Sequence, residues 1–104
     1  MQELYNALSA LSGRPVDAVA PSGVERFIVA AQYGASSAYG ADANVLDIPR
    51  VQIDIYTPDP EDPLPDRVMS LLQAWHMPYT VIGRNIYEED RNVLRTILQL
   101  EVIA

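Results

Sequence analysis

The chain has 104 residues, a length typical of one domain, so we expect a single core over residues 1–104; its formal net charge is −7. The absence of cysteine excludes disulfides, zinc ribbons and thiol nucleophiles. Because 14 acidic residues stand against 7 basic ones, we expect no strong grip on nucleic acid. No apolar run approaches the ~20 residues that span a bilayer, so we expect a soluble protein without a membrane partner.

The first half of the chain predicts one helix followed by extended segments. Leucines recur at helical spacing over residues 3–12, and a glycine and a proline supply the stop. Residues 16–20 and 26–33 are typical of strands, separated by a Pro-Ser-Gly turn. Residues 34–44 are mostly small and polar, and we interpret them as a mobile loop or an extended hairpin arm.

The second half predicts a well-defined strand, a helix and two closing strands. Residues 50–56 alternate apolar and polar side chains, the period-two pattern of a sheet with one buried face. After a proline-rich acidic turn, apolar residues at helical spacing predict a helix over 63–76, with Asp62 as its N-cap. Residues 79–87 and 93–103 predict two more strands; the last segment also fits a helix, but its β-branched residues favour sheet.

These elements predict an α+β fold in the order α-β-β-β-α-β-β, a mainly antiparallel sheet with two helices packed on one face. The centre of the core is expected where the period-two strand meets the second helix. Its predicted members are Val51, Ile53, Ile55, Leu71, Leu72 and Trp75.

No motif predicts a catalytic, metal or cofactor site. The one histidine, His76, lies at the end of the second predicted helix, where it caps a carbonyl or interacts with the helix dipole. The acidic run from Asp59 to Asp66 lacks the glycine and the final glutamate of a calcium loop, and a helix cap with a solvated face explains it. The glycines are scattered singly, so no phosphate loop is predicted. We expect no enzyme activity and no cofactor.

Two features predict contacts with other protein surfaces. The polar loop of residues 34–44 carries one large side chain, a tyrosine, which gains little unless it meets another surface. All 7 basic residues are arginine, which is either an accident of genome composition or a use of guanidinium groups in fixed pairings at an interface. The candidate interface residues are Tyr39, Asp42, Asn44, Arg67, Arg84 and Arg95.

The succession of several short segments carries a resemblance to a known family. After the leading helix come Gly-Arg-Pro-Val at 13–16, Phe-Ile-Val at 27–29, Ala-Asp-Ala-Asn-Val at 41–45, and a strand at 51–57 that runs into an acidic turn and a helix. With the closing alternating strand, nearly the whole chain resembles the small tail-terminator, or tail-completion, proteins of long-tailed bacteriophages. The absence of lysine and the prolines of 58–65 depart from the family pattern.

This resemblance implies a structural protein without an active site. Members of the class assemble as a ring, often a hexamer, that caps the tail tube, stops its polymerisation and docks to the head-tail connector or stopper protein. It implies a place at the tail-neck junction of the virion, after a stay in the host cytoplasm, with DNA passing through the lumen. Because a conduit must not hold phosphates, we expect acidic residues to face that lumen, and the candidates are Glu88, Glu89 and Asp90.

Other classes of function stay open at this point. A head-tail adaptor or stopper protein fits the same features. A small α+β ligand-binding regulatory module would need a pocket, and a small acidic hydrolase would need His76 or a carboxylate pair in a cleft.

Overall fold

Two helices and four strands make up the described part of the chain, which is residues 2–21, 23–39 and 45–101 of a computed structural model. In chain order they are α1 (Gln2–Ser12), β1 (Phe27–Tyr39), β2 (Val45–Thr57), α2 (Leu64–Ala74), β3 (Tyr79–Glu88) and β4 (Val93–Glu101). The predicted α+β class is confirmed, and the observed order is α-β-β-α-β-β.

The four strands form one antiparallel sheet in the order β1-β2-β4-β3. β1 and β3 are therefore its two edges. Because three antiparallel pairings separate them, the two edge strands run in opposite directions.

Both helices pack on one face of this sheet, as predicted. Val51, Ile53 and Ile55 alternate along β2, are fully buried and face the helices, while the residues between them face the other way. The other members of the core are Leu4 and Leu8 of α1, Ile28 and Ala30 of β1, Leu64, Val68 and Leu72 of α2, and Leu98 and Leu100 of β4. Burying each large apolar side chain contributes about 1.5–3 kcal/mol relative to leaving it exposed.

Trp75 does not lie at the centre of the core, so that part of the prediction is wrong. Its side chain is 40% exposed, and Leu71 is half-buried, whereas Leu72 is fully buried. The physical reason is that α2 ends at Ala74. Trp75 therefore leaves the helical register that would have continued the buried stripe.

A Schellman motif ends α2. The N–H of Met77 donates to the carbonyl of Leu72 at 2.9 Å, and the N–H of His76 donates to the carbonyl of Gln73 at 3.0 Å. His76 has φ 54°, the left-handed conformation that this position of the motif requires and that usually selects glycine. His76 thus serves the helix end through its backbone.

Residues 16–20 do not form the predicted strand. Within the described ranges, their pairing is a single parallel bridge between Asp17 and Val29, with the N–H of Ala30 donating to the Asp17 carbonyl at 3.0 Å. Val19 is 74% exposed. The segment pairs with the outer side of β1 at this one point, so it does not extend the sheet; Val16 still packs against the core, whereas Val19 does not.

The start of α2 lies slightly later than predicted. The helix begins at Leu64, and Pro63 rather than Asp62 occupies the N-cap position. Asp62 still accepts a hydrogen bond from the N–H of Leu64 at 2.9 Å and forms an ion pair with Arg26 at 2.8 Å. Burial alone would raise the pKa of Asp62, but these hydrogen bonds and the Arg26 charge outweigh it, and the pKa lies below its ordinary value.

Candidate subunit interface

The hairpin of β1 and β2 extends past the rest of the described sheet. Among the described residues, β4 pairs with β2 only from Arg50 to Thr57. From Arg50 outward β1 also pairs with β2, through residues 34–39 and 45–50, which we call the arm; Arg50, at its base, still pairs with Glu101 of β4. Of the two interpretations of residues 34–44, a mobile loop or an extended hairpin arm, the structure shows the hairpin arm over 34–39, and 40–44 lie outside the described residues. A two-stranded ribbon is at best marginally stable alone in water, so the arm needs a further surface.

The molecule that carries the arm is elongated. The principal extents are 51 × 26 × 21 Å, and the radius of gyration is 14.7 Å, against about 13 Å for a compact domain of this length. The accessible surface of 6293 Å² exceeds by about 500 Å² the value of about 5,800 Å² expected from the mass. The chain therefore exposes more surface than a compact monomer of its size.

The outer edge of β1 carries little of the usual protection of an edge strand. Its 13 residues, Phe27–Tyr39, include no charged residue and no proline, and its register against β2 shifts once, between Gln32 and Gly34. Natural edge strands commonly carry charges, prolines or bulges that prevent pairing with other chains. Among the described residues, the outer neighbour of β1 is Asp17, at Val29. The stretch from Gln32 to Tyr39, which we call the β1 edge, is open to a further strand.

The other edge strand, β3, exposes apolar side chains. Of the seven large hydrophobic residues that are exposed in the described ranges, four belong to β3. They are Val81 (44% exposed), Ile82 (52%), Ile86 (43%) and Tyr87 (58%). The register of β3 against β4 shifts on both sides of Gly83, and such irregularities bend a strand and increase its twist. The one cation of β3, Arg84, forms an ion pair with Asp66 at 2.7 Å.

The face of the sheet opposite the helices carries a polar network centred on Arg95. Its guanidinium donates to Asp54 at 2.8 Å and to Glu88 at 3.2 Å, and lies 5.8 Å from the centroid of the Tyr56 ring. Asp54 is a buried residue, and the Arg95 side chain is 27% exposed. The network therefore joins β2, β4 and the end of β3 through charged side chains that are largely removed from water.

The charges of this network hold one another in place. Burial alone would lower the pKa of Arg95, but the carboxylates of Asp54 and Glu88 outweigh it, and the pKa is raised. Burial raises the pKa of Tyr56 despite the opposing charge of Arg95. Arg95 thus stays charged, and both of its Nη atoms donate to carboxylates of its own subunit, whereas its buried Nε has no hydrogen-bond partner among the described residues.

Two glutamines continue the network toward the arm. Gln99 donates to Gln52 at 3.1 Å, and Gln52 donates to Asp54 at 3.1 Å. Near the base of the arm, the guanidinium of Arg50 lies 5.0 Å from the centroid of the Tyr33 ring. This face is therefore a half-buried polar surface with its donors and acceptors arranged in a row.

An aromatic pair closes the opposite end of the same face. Phe27 and Tyr56 stack with their ring centroids 4.5 Å apart, and the Arg91 guanidinium lies 5.2 Å from the Phe27 ring centroid. Arg91 also donates to the carbonyl of Pro21 at 3.0 Å. The turn between β3 and β4 is thereby tied to the loop that precedes β1.

Of the predicted interface residues, the structure describes the side chains of Arg67, Arg84 and Arg95, which lie on α2, β3 and β4. Arg84 and Arg95 form ion pairs within the subunit. Arg67 is exposed on α2, and its charge helps to lower the pKa of Asp62. For Tyr39 the structure describes the backbone, in β1. Asp42 and Asn44 lie outside the described residues.

The predicted lumen residues differ in their surroundings. Glu88 accepts a hydrogen bond from Arg95 and has a side chain that is 32% exposed. Glu89 and Asp90 are exposed in the turn between β3 and β4. Only these two carboxylates have the solvated position that the prediction assumes for all three.

The described surface has depressions but no clustered metal ligands. In residues 2–21, 23–39 and 45–101, no group of three or more His, Asp or Glu side chains is placed to hold a metal ion. Three open depressions have volumes of about 270, 540 and 490 Å³. The first lies between the base of the arm and the start of β3, with Tyr33, Arg50 and Tyr79 in its lining. None of the helices described is long and apolar enough to cross a membrane.

Sequence reasoning missed two of these features, and each had a signal. Asp54 is a carboxylate in the middle of the best-defined strand, where burial demands a cationic partner. Residues 27–41 contain no charge in a chain that is 20% charged. A long uncharged stretch that begins as a strand indicates an edge that is open to pairing.

A comparison with protein-family models and one with curated proteins found no match. Function is therefore inferred from the arm, the two sheet edges and the Arg95 network, together with the resemblance seen in the sequence.

Proposed function

We propose that this chain is a structural subunit that forms a ring at the end of the tail tube of a long-tailed bacteriophage. In that position it ends polymerisation of the tube and joins the tail to the head connector or stopper protein, and it acts by assembly rather than by catalysis. The resemblance to tail-terminator proteins suggests this class. The arm is the structural observation that carries the proposal.

The arm favours assembly for an energetic reason. Fixing each residue of a chain costs about 1–2 kcal/mol of backbone entropy, which burial must offset. Apart from Arg50 at its base, the arm lies past the part of the described sheet that both helices and β4 support. A second protein surface that packs on the arm would provide the missing burial.

The charge of the chain supports a position beside DNA without binding to it. A net charge of −7 on each subunit, repeated around a ring, gives a field that repels phosphate. The partners in this proposal are further copies of the chain, the tail tube protein and the connector. The location is the tail-neck junction of the virion.

Electron microscopy of the purified protein with polymerised tail tube protein of a long-tailed phage tests the proposal. We expect rings, added density at one tip of each tube, and shorter tubes as the protein concentration rises. A strict monomer by light scattering, with bare tube tips, would contradict it. Binding to a purified connector with no effect on tube length would instead favour the head-tail adaptor.

A charge reversal at the turn between β3 and β4 tests the DNA conduit. We expect Glu89→Lys/Asp90→Lys to leave the ring intact and to create DNA retention that salt weakens, because each added cation releases counterions from DNA. Glu88 stays unchanged because it accepts a hydrogen bond from Arg95. The control is Glu3→Lys/Glu61→Lys, with the same charge change at two exposed positions elsewhere. Gel shifts that show no difference between the two variants would refute the lumen assignment.

A further inference from the structure

We infer that the subunits of the proposed ring join edge to edge, with the β1 edge of one copy pairing with β3 of the next copy. This inference rests on the proposed function, because it names the contact that closes the ring. The occupant of the β1 edge is therefore the β3 strand of a second copy of this chain.

Strand direction is the first argument. Because β1 and β3 of one sheet run in opposite directions, β3 of a neighbour in the same orientation lies antiparallel to β1. The alternation found inside the sheet thus continues from copy to copy. A contact between two different edges is head-to-tail, which is the type that generates rings.

The second argument is that the two edges expose different groups that one contact can cover. The β1 edge offers backbone groups without any charged side chain, whereas β3 offers exposed Val81, Ile82, Ile86 and Tyr87. Pairing of β1 with another β1 about a two-fold axis would leave the apolar residues of β3 in water. Pairing of β1 with β3 protects both edges in one contact.

Charge is the third argument. Copies of a chain with net charge −7 repel one another, so their contact must lie where charge is absent or already paired. The β1 edge has no charge, Arg84 of β3 is paired with Asp66, and Glu88 is paired with Arg95. Joining the two edges therefore buries no unpaired ion.

The shape of β3 is the fourth argument. Its two register shifts beside Gly83 bend the strand, so a neighbour that follows this edge turns away from the plane of the first sheet. Head-to-tail contacts close into a ring when a whole number of equal rotations between neighbouring subunits adds up to 360°, and they otherwise form an open filament. A bent edge is thus suited to closure.

Engineered cysteines test the contact, because the native chain has none. Ser36→Cys and Ser37→Cys sample two successive positions of the β1 edge, and Thr80→Cys, Ile82→Cys and Ile86→Cys sample β3. Neighbouring strands lie about 4.8 Å apart, within reach of a disulfide. Each β1 variant is mixed with each β3 variant, oxidised with copper phenanthroline and run on a non-reducing gel. Ser70→Cys, on the exposed side of α2, replaces either partner in the control mixtures.

We expect covalent dimers from at least one β1 and β3 mixture, and none from any single variant alone or from the control mixtures. With both cysteines of that pair in one chain, we expect a ladder that stops at the number of subunits in the ring. Covalent dimers from Ser36→Cys or Ser37→Cys alone would show a two-fold contact and overturn the inference.

Light scattering separates failure of the contact from failure of the proposed function. A ring that forms without β1 to β3 disulfides overturns the edge contact and leaves the proposed function standing. A chain that stays monomeric with and without tail tube protein, and gives no disulfides, overturns both.

As a second test, Ser36→Lys adds a charge to the β1 edge. We expect this variant to lose the oligomer while the melting temperature of the monomer stays unchanged. We expect the control, Ser70→Lys, to keep the oligomer. An oligomer that survives Ser36→Lys counts against the edge contact.

Discussion

Replacing Glu88 by lysine tests whether the Arg95 network contributes to stability in solution. The Glu88 carboxylate lies 3.2 Å from Nη1 of Arg95, and their side chains are 32% and 27% exposed. The change removes a hydrogen bond between charged groups, which contributes about 1.5–3 kcal/mol. It also brings two cations together, which at about 4 Å and an effective dielectric constant of about 20 costs at most about 4 kcal/mol.

The expected loss is smaller than the sum of these values, because a lysine side chain at the edge of the sheet can turn toward solvent. Arg95 also keeps its hydrogen bond to Asp54 at 2.8 Å. We therefore expect Glu88→Lys to lower the free energy of unfolding by about 2 kcal/mol, near the lower bound for the lost hydrogen bond. For a domain of about 100 residues this corresponds to a fall in melting temperature of roughly 8–16 °C.

Thermal and urea unfolding followed by circular dichroism provide the measurement, with Glu89→Lys as the matched control. The control makes the same charge change at the next residue, which is exposed in the turn. Added salt should narrow the difference between the variants, because it screens the new repulsion. Equal melting temperatures for Glu88→Lys and Glu89→Lys would refute the reasoning, since they would show that the contact between Glu88 and Arg95 carries no stability.

Three further predictions concern α2 and its two ends. Leu72→Ala should cost about 3 kcal/mol because the side chain is fully buried, while Trp75→Ala should cost clearly less in the same urea titration. Asp62→Asn should lower the melting temperature near neutral pH, where the ion pair with Arg26 is present. Because the pKa of Asp62 is depressed in the folded state, the stability from this ion pair is lost as the pH falls through that pKa. The melting temperatures of Asp62→Asn and the native chain should therefore converge in acid. His76→Gly should raise the melting temperature, since glycine relieves the left-handed backbone at the helix end, a strain of about 1–2 kcal/mol for other residues; a fall would mean that the imidazole makes a contact of its own.

Elements with a local pattern were predictable from the sequence. The alternation of Val51, Ile53 and Ile55 depends on nothing beyond the strand itself, because one face of a sheet repeats every second residue. The same holds for α1, where leucines repeat at helical spacing. These patterns decide which face is buried, and so they were sufficient to predict two helices on one side of an antiparallel sheet.

Features that depend on distant partners were less predictable. Residues 34–39 are mostly small and polar, a composition that left a mobile loop and a hairpin arm both open, and they are strand because residues 45–50 pair with them. Residues 16–20 have the composition of a strand, but their described pairing is one bridge. In both cases the presence or absence of a partner strand determines whether the segment forms a strand.

The Arg95 network shows the same limit for side chains. Arg95 contacts Asp54 across 41 positions of sequence and Glu88 across 7. With 14 acidic residues in the chain, sequence spacing cannot select these two. The selection follows from the register of β2 and β3 against β4: Asp54 lies opposite Ile97 and Glu88 lies opposite Val93, each two residues along β4 from Arg95.

Most of the arginine side chains make contacts within the chain, which leaves few of them for a contact between subunits. Arg26, Arg84 and Arg95 form ion pairs inside the chain, and Arg50 and Arg91 lie over aromatic rings of the same chain. The guanidinium groups that the composition offered to an interface are thus mostly used by the fold. Glu3, Glu61, Glu89 and Asp90 are exposed, and the negative net charge repels other copies of the chain. In the proposed ring, attraction between copies would then come from uncharged backbone and apolar side chains, and the described sheet offers both at its two edges.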